Sequence, residues 1–281
     1  MDISPKMVAE LRERTGAALM DCKRALTACN GDLEAAVDYL RKTGLKSAEK
    51  RAGRKAGAGR VQAQFAADNK SGAMVLMTSE TDFVPPTDPF KALLSKLVKL
   101  TFDKRVASPA QLLEQTLDGR SVQDALKALT AQCGENVELP TLAFYENKNG
   151  FVGGYIHHNE KTAGLASVTT KASPDKAAEF LKNLGMHITF AKPMALSREQ
   201  IPADAVEREK VVYLESEEVK AKPEDKRAMI VKGKLEKFFG TVVLPEQPWF
   251  KDDKLTVKKV LADALGPDAK IEAFTLFVVG A

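Results

Sequence analysis

The side chains that could do covalent chemistry in this chain are few and scattered. Its 281 residues include three histidines, His157, His158 and His187, and three cysteines, Cys22, Cys29 and Cys133. A zinc or protease site would need such groups clustered, as in HExxH or paired CxxC spacings, and the sequence has neither. It has no GxSxG nucleophile turn and no Walker loop. Gly57-Ala58-Gly59 runs into Arg60 and a strand-like stretch, not into Gly-Lys-Ser/Thr and a helix. Adjacent histidines on a strand point to opposite faces, so His157 and His158 are not expected to share an ion. One is expected to pack inward and the other to meet solvent or a partner. His187, between Met186 and Ile188, reads as a satisfied core histidine. The residues therefore imply a binding protein without covalent chemistry of its own, and no cofactor or metal.

The stretch with the most to offer a partner is Ser79-Glu80-Thr81-Asp82-Phe83-Val84. It follows an apolar run, Ala73 to Met77, that reads as a strand, and it precedes Pro85-Pro86 and a helix. A turn between strand and helix is where a rigid scaffold often aims working residues. Asp82 and Phe83 put one charge and one large ring at its tip. Two readings are open: Asp82 caps something and Phe83 tucks into the core, or both project.

Composition bounds the setting. Hydrophobic residues make up 44% and charged residues 28%, as in an ordinary globular protein of one large or two to three smaller domains. No run approaches the ~18 apolar residues of a membrane span. Met1-Asp2-Ile3-Ser4-Pro5 has neither a basic start nor an apolar stretch, so no secretory signal is expected and the chain reads as cytoplasmic, with reduced thiols. The sequon Asn69-Lys70-Ser71 then has no consequence. Net charge is +4, but residues 41–60 carry eight Lys and Arg against one acid, Glu49. A basic segment can touch RNA or an acidic protein face. This one holds no aromatic residue on which a base could stack.

The elements that would position these residues follow in order. Ser4-Pro5 is an N-cap with Pro at the first helical position, Val8 and Leu11 give an apolar face, and Thr15-Gly16 breaks it. A second helix is expected from about Ala17 to Ala28, with Leu19, Cys22 and Leu26 on one side. After the Asn30-Gly31 turn, a third helix puts Leu33, Ala36, Val37 and Leu40 inward until Gly44 ends it. This three-helix unit, residues 1–45, leads into a basic linker, 46–59, whose first part is open to a helical reading and whose end Gly53, Gly57 and Gly59 loosen. Val61–Phe65 and Ala73–Met77 form a hairpin about Asn69-Lys70-Ser71-Gly72; Leu142–Tyr145 and Phe151–Ile156 form a second about Asn147-Lys148-Asn149-Gly150. A helix opened by Asp88-Pro89 carries the stripe Phe90, Leu93, Leu94, Leu97, Val98, Thr101 and Phe102. Leu112, Leu113, Val122, Leu126 and Leu129 suggest two more helices, the second closed by Gly134. After a further strand over 165–170, Ser173-Pro174 opens a helix with Ala177, Leu181, Leu184 and Ile188 inward. The expected class is α+β: two related subdomains, 60–140 and 141–281. Inserted in the second, about 204–239, an antiparallel helical hairpin breaks at Lys222-Pro223 and carries Val206, Val212, Val219, Met229 and Phe238. It is either a solvated arm without duty or a working part. Thr256 caps a late helix that Gly266 stops, and a final strand runs over 271–279.

Leu11-Arg12-Glu13-Arg14-Thr15-Gly16-Ala17-Ala18-Leu19-Met20-Asp21-Cys22-Lys23-Arg24-Ala25-Leu26 closely resembles the opening motif of bacterial elongation factor Ts. Thr81-Asp82-Phe83-Val84 is similar to that family's second signature. Asn30-Gly31-Asp32, Tyr155-Ile156-His157, Met186-His187-Ile188 and Leu244-Pro245-Glu246-Gln247-Pro248 look like further family segments, in the family's order. The resemblance implies that the first helices form a ubiquitin-associated-like domain. It also implies that the chain binds elongation factor Tu, GDP-bound and nucleotide-free, and speeds GDP release. Thr81, Asp82, Phe83 and Val84 would form the exchange loop, with Phe83 as wedge near the partner's Mg²⁺. Arg12, Leu19, Met20 and Lys23 match positions that face the GTPase, although Leu19 and Met20 read equally well as bundle core. His157 matches a partner-facing histidine. Neither membrane nor direct nucleic-acid contact is implied, and a homo-oligomer of the partner complex is left open. Ala18 stands where glycine is common, Pro85-Pro86 replaces Ala-Lys or Ala-Arg, and the sequence stops at Ala281 where many members continue into a helical tail. The alternative from the residues alone is a non-enzymatic adaptor that binds RNA or the ribosome through the basic linker.

Overall fold

The computed structural model describes residues 3–280, without the side chains of residues 45–47 and 49. Expectations that fall on Met1, Asp2 and Ala281, or on the side chains of Lys46 and Glu49, lie outside the described residues. The fold is α+β with a three-helix N-terminal segment. It divides into two compact units: the chain up to Gln64 with Ala73–Phe144 and the end of the last strand, and Phe65–Gly72 with Tyr145–Phe277.

In the first unit, α1 (Pro5–Thr15), α2 (Leu19–Ala28) and α3 (Leu33–Arg51) enclose a thin core of Val8, Leu11, Cys22, Ala25, Leu26 and Ala36. Ser4 Oγ accepts the Met7 N–H at 3.2 Å, and Gly16 closes α1. The third helix does not stop at Gly44, as expected, but runs on to Arg51. Gly44 is a contact point rather than a cap: a Cβ there would lie 2.8 Å from Ala131 Cβ. The missing side chain lets α3 lie close against the helix that carries Ala131, and packing outweighs the weak helix propensity of glycine.

β1 (Ala58–Phe65) and β2 (Ser71–Ser79) form the first expected hairpin. They are followed by α4 (Asp88–Lys104), α5 (Pro109–Leu113), β3 (Thr116–Leu117), β4 (Arg120–Ser121), α6 (Val122–Cys133) and β5 (Glu138–Glu146). The sheet order is β1-β2-β5. Its core joins Val75 and Met77 to Phe90, Leu94, Leu97 and Val98 of α4, to Leu126 and Leu129 of α6, and to Leu139 and Leu142 of β5.

The second unit holds β6 (Gly150–Ile156), β7 (Thr162–Thr169), α7 (Pro174–Ala191), α8 (Ala203–Glu215), α9 (Glu217–Lys220), α10 (Glu224–Val242), β8 (Pro248–Trp249), β9 (Asp252–Thr256), α11 (Val257–Leu265) and β10 (Lys270–Val278). Its sheet order is β10-β7-β6, and α7 buries Ala177, Phe180, Leu181, Leu184 and Ile188 with Phe151, Ala166 and Val168. The second expected hairpin is therefore not a pair. The strand before Asn147 belongs to the β1-β2-β5 sheet, and the strand after Gly150 pairs with β7, from Gly150↔Thr169 to Ile156↔Ala163. The turn residues reverse the chain as expected. What selects the partner strand is burial: Leu139 and Leu142 fill one core and Phe151 the other.

The charged insertion is helical: α8, α9 and α10. Fully buried positions on it are few, Val219 and Val231 among them, and α8 buries none. Val212 and Met229, expected to line it, face solvent. Its ends are tied together: Ala195 bridges Val243 in parallel, Met194 N–H donates to Val242 O at 2.8 Å, and Leu244 N–H to Ala195 O at 2.8 Å. At this root Arg198 makes a two-pronged bond to Glu246, at 2.8 and 2.7 Å, and reaches Glu236 at 2.8 Å. Those two carboxylates hold the guanidinium well above its ordinary pKa.

Candidate partner-binding loop

Thr81–Val84 follows β2 directly, and its two feet are fixed in different ways. On the first foot, Thr81 is bonded on three sides. Its N–H donates to Glu135 Oε2 at 2.9 Å, its hydroxyl to Glu135 Oε1 at 2.5 Å, and its carbonyl accepts from the buried Ser79 Oγ at 2.9 Å. Glu80 is fixed as well: its Oε1 accepts the Asn136 N–H at 2.7 Å, and its Oε2 lies 3.7 Å from the Arg54 guanidinium. Asn136, itself buried, donates from Nδ2 to Arg54 O at 2.8 Å and to Glu138 Oε1 at 2.7 Å. The second foot is apolar. Val84 and Pro85 are buried, Val84 joins the core of the first unit, and Val84 O accepts the Thr87 hydroxyl at 2.7 Å.

Between the feet stand Asp82 and Phe83. The Phe83 ring is 81% exposed, which decides between the two readings of the sequence: it projects, and the tucked-in alternative is wrong. A two-residue tip between a bonded threonine and a buried valine cannot fold its ring back to the core. Asp82 is exposed and caps nothing; among the described residues its side chain makes no hydrogen bond or ion pair.

Arg12 of α1 and Leu19, Met20 and Lys23 of α2 are all exposed. Leu19 is 51% and Met20 64% exposed, so neither is bundle core. The stripe Leu19–Cys22–Leu26 begins to bury only at Cys22. Among the described residues these four share no hydrogen bond or ion pair with Thr81–Val84.

His157 lies in the second unit, just past the end of β6, with Nδ1 3.2 Å from Tyr155 Oη. His157 and His158 do not point to opposite faces as expected: their ring centroids are 4.2 Å apart. The strand stops at Ile156, so the alternation that separates neighbours on a strand does not reach them. His158 is exposed and His157 half-buried. His187 is the expected core histidine. It is buried, 5.2 Å from the Trp249 ring in stacked geometry, with Nε2 3.0 Å from Gln247 Oε1 and Nδ1 accepting the Phe250 N–H at 3.3 Å. Those bonds place its proton on Nε2, and burial lowers its pKa. Burial also pushes the Cys133 thiol up, and all three cysteines are free thiols. Among the described residues no group of three or more His, Cys, Asp or Glu could hold a metal ion, and no helix is long and apolar enough to cross a membrane.

Sequence reasoning missed Glu135, Asn136 and Arg54. No motif contains them, and 54 residues separate Glu135 from Thr81. The one local signal was Gly134: at φ 77° it reverses the chain after α6 and turns the following Glu-Asn back.

Fold and site together define an α+β protein that carries an exposed aromatic ring on a firmly footed turn. The family model described as Elongation factor TS matches residues 80–281. Elongation factor Ts of Halothermothrix orenii is 38% identical, over 100% of this chain and 93% of its own length. That of Chlorobium chlorochromatii is 39% identical over 92% and 91%, and that of a Clostridium botulinum strain 37% over 99% and 93%. The chain belongs to the elongation factor Ts family.

Proposed function

We propose that this chain is a guanine nucleotide exchange factor for elongation factor Tu, working by binding and not by covalent chemistry. The observation that carries this reading is the Phe83 ring, 81% exposed on a tip whose feet are bonded or buried. A GTPase grips GDP through backbone amides around the phosphates and through Mg²⁺. A ring inserted beside that ion displaces the side chains that organise it, and Asp82 brings an acceptor that competes for local donors. Every ~1.4 kcal/mol by which the grip is weakened raises the nucleotide's dissociation constant tenfold. Coupling is reciprocal, so GDP or GTP weakens the factor's own hold by the same free energy and ejects it. Arg12, Leu19, Met20 and Lys23, and separately His157, supply further contact surface in this reading.

The test is release of labelled GDP from elongation factor Tu with and without this protein. Acceleration is expected, and Phe83→Ala should reduce it at least tenfold. No acceleration at saturating protein would remove the proposal.

A further inference from the structure

We infer that the Glu135-Asn136 step at the end of α6 positions the exchange loop, with Glu135 setting the direction in which Phe83 is presented. This rests on the exchange reading above. Both oxygens of the Glu135 carboxylate are used on one residue, taking the N–H and the hydroxyl of Thr81 at 2.9 and 2.5 Å. Two bonds to one residue fix an orientation, where one would fix only a distance. Phe83 follows two residues later, so any rotation at Thr81 sweeps the ring through an arc. The opposite foot, Val84, is held by burial and by the Thr87 hydroxyl on its carbonyl, contacts that lie beyond Phe83 in the chain and leave the orientation at Thr81 to Glu135.

The carrier of the carboxylate is itself held. Gly134 turns the chain back after α6, and Asn136 is buried and bonded to Glu80, to the Arg54 carbonyl and to Glu138. Glu135 is thus a positioning residue that acts through Thr81.

The experiment compares Glu135→Ala and Glu135→Gln in the full chain, alone and combined with Phe83→Ala. Glutamine can reproduce both bonds: its carbonyl accepts the Thr81 N–H, and its amide donates to the Thr81 oxygen. Two readouts are needed, hydrogen exchange at the Thr81 amide and GDP release from elongation factor Tu. The amide should be protected in the wild type and Glu135→Gln and released in Glu135→Ala. Exchange activity should fall by roughly ten- to a hundredfold in Glu135→Ala, the upper end being the size expected of a group misplaced by about 1 Å. It should stay near wild type in Glu135→Gln. Adding Glu135→Ala to Phe83→Ala should change nothing further, since there is no ring left to aim.

If Glu135→Ala is as fast as wild type while Phe83→Ala is slow, this inference is wrong and the exchange reading stands. Equal slowing by Glu135→Ala with and without the ring would make Glu135 a direct contact, also overturning it. A glutamine variant as slow as alanine would assign the effect to charge and overturn it too. A Phe83→Ala protein that exchanges normally would sink both proposals.

Discussion

Leaving a phenylalanine ring in water forgoes about 1.5–3 kcal/mol that burial would give, and Phe83 is the most exposed large apolar side chain among the described residues. Nothing in the lone fold recovers that term, so removing the ring should cost the fold almost nothing. Phe83→Ala is expected to shift the urea midpoint by less than the equivalent of about 0.5 kcal/mol, while its GDP-release activity falls. A large loss of stability would show that the ring packs somewhere after all. His187 is the opposite case, a polar ring whose whole surface is used. Its pKa in the fold is lowered by burial, below the ordinary value of about 6.5. The unfolded chain therefore binds the proton first. The stabilisation is complete above about pH 6.5 and is lost as pH falls from there toward the folded value. The urea midpoint should drop as pH falls below about 6.5. In His187→Phe that drop should vanish, although the variant is weaker at neutral pH because Gln247 Oε1 and the Phe250 N–H lose their partner. A drop of equal size in the variant would assign the titration to another group.

Among the elements, those governed by a local rule were legible. The α4 stripe, the Ser4-Pro5 start, the Thr256 cap and the Gly134 stop all appear where residue types put them, because each depends on neighbours within a few positions. Pairing choices and close approaches were not, because they depend on what lies opposite. The β5 strand passed for half of a hairpin, since its turn residues suit one whichever sheet receives the strand. Gly44 passed for a helix end, since only Ala131 explains it. The Thr81–Val84 loop was legible as a type of turn, but its fastening to Glu135 was not. Gly44→Ala poses propensity against packing: alanine favours the helix by about 1 kcal/mol, while overpacking costs about 1–3 kcal/mol. With the new Cβ 2.8 Å from Ala131 Cβ, packing should win and the variant should unfold at lower urea. Adding Ala131→Gly should then recover more than the two separate effects allow. Simple additivity in that double-mutant cycle would mean the two helices do not meet at these positions.

At the scale of the whole molecule, the charge distribution is what sets the adaptor alternative apart. The net charge of +4 conceals a concentration of basic residues over 41–60. The first part of that run lies on α3, and Arg54 is drawn to Glu80 beside the loop, so it is not a loose basic strand offered to a polyanion. RNA binding should therefore be weak and non-specific, with dissociation constants no tighter than about 10⁻⁶ M at physiological salt. Titration of labelled RNA across a salt series measures this. Tight, steeply salt-dependent binding that is lost in a Lys50→Ala, Lys55→Ala variant would instead favour the adaptor.

The paired strand contact of Ala195 with Val243 has a consequence for descent. The polypeptide departs on its helical excursion and comes home at almost the same spot. The excursion is thus a detour spliced into an otherwise continuous path, and a lineage could lengthen, trim or discard it without re-routing the chain on either side.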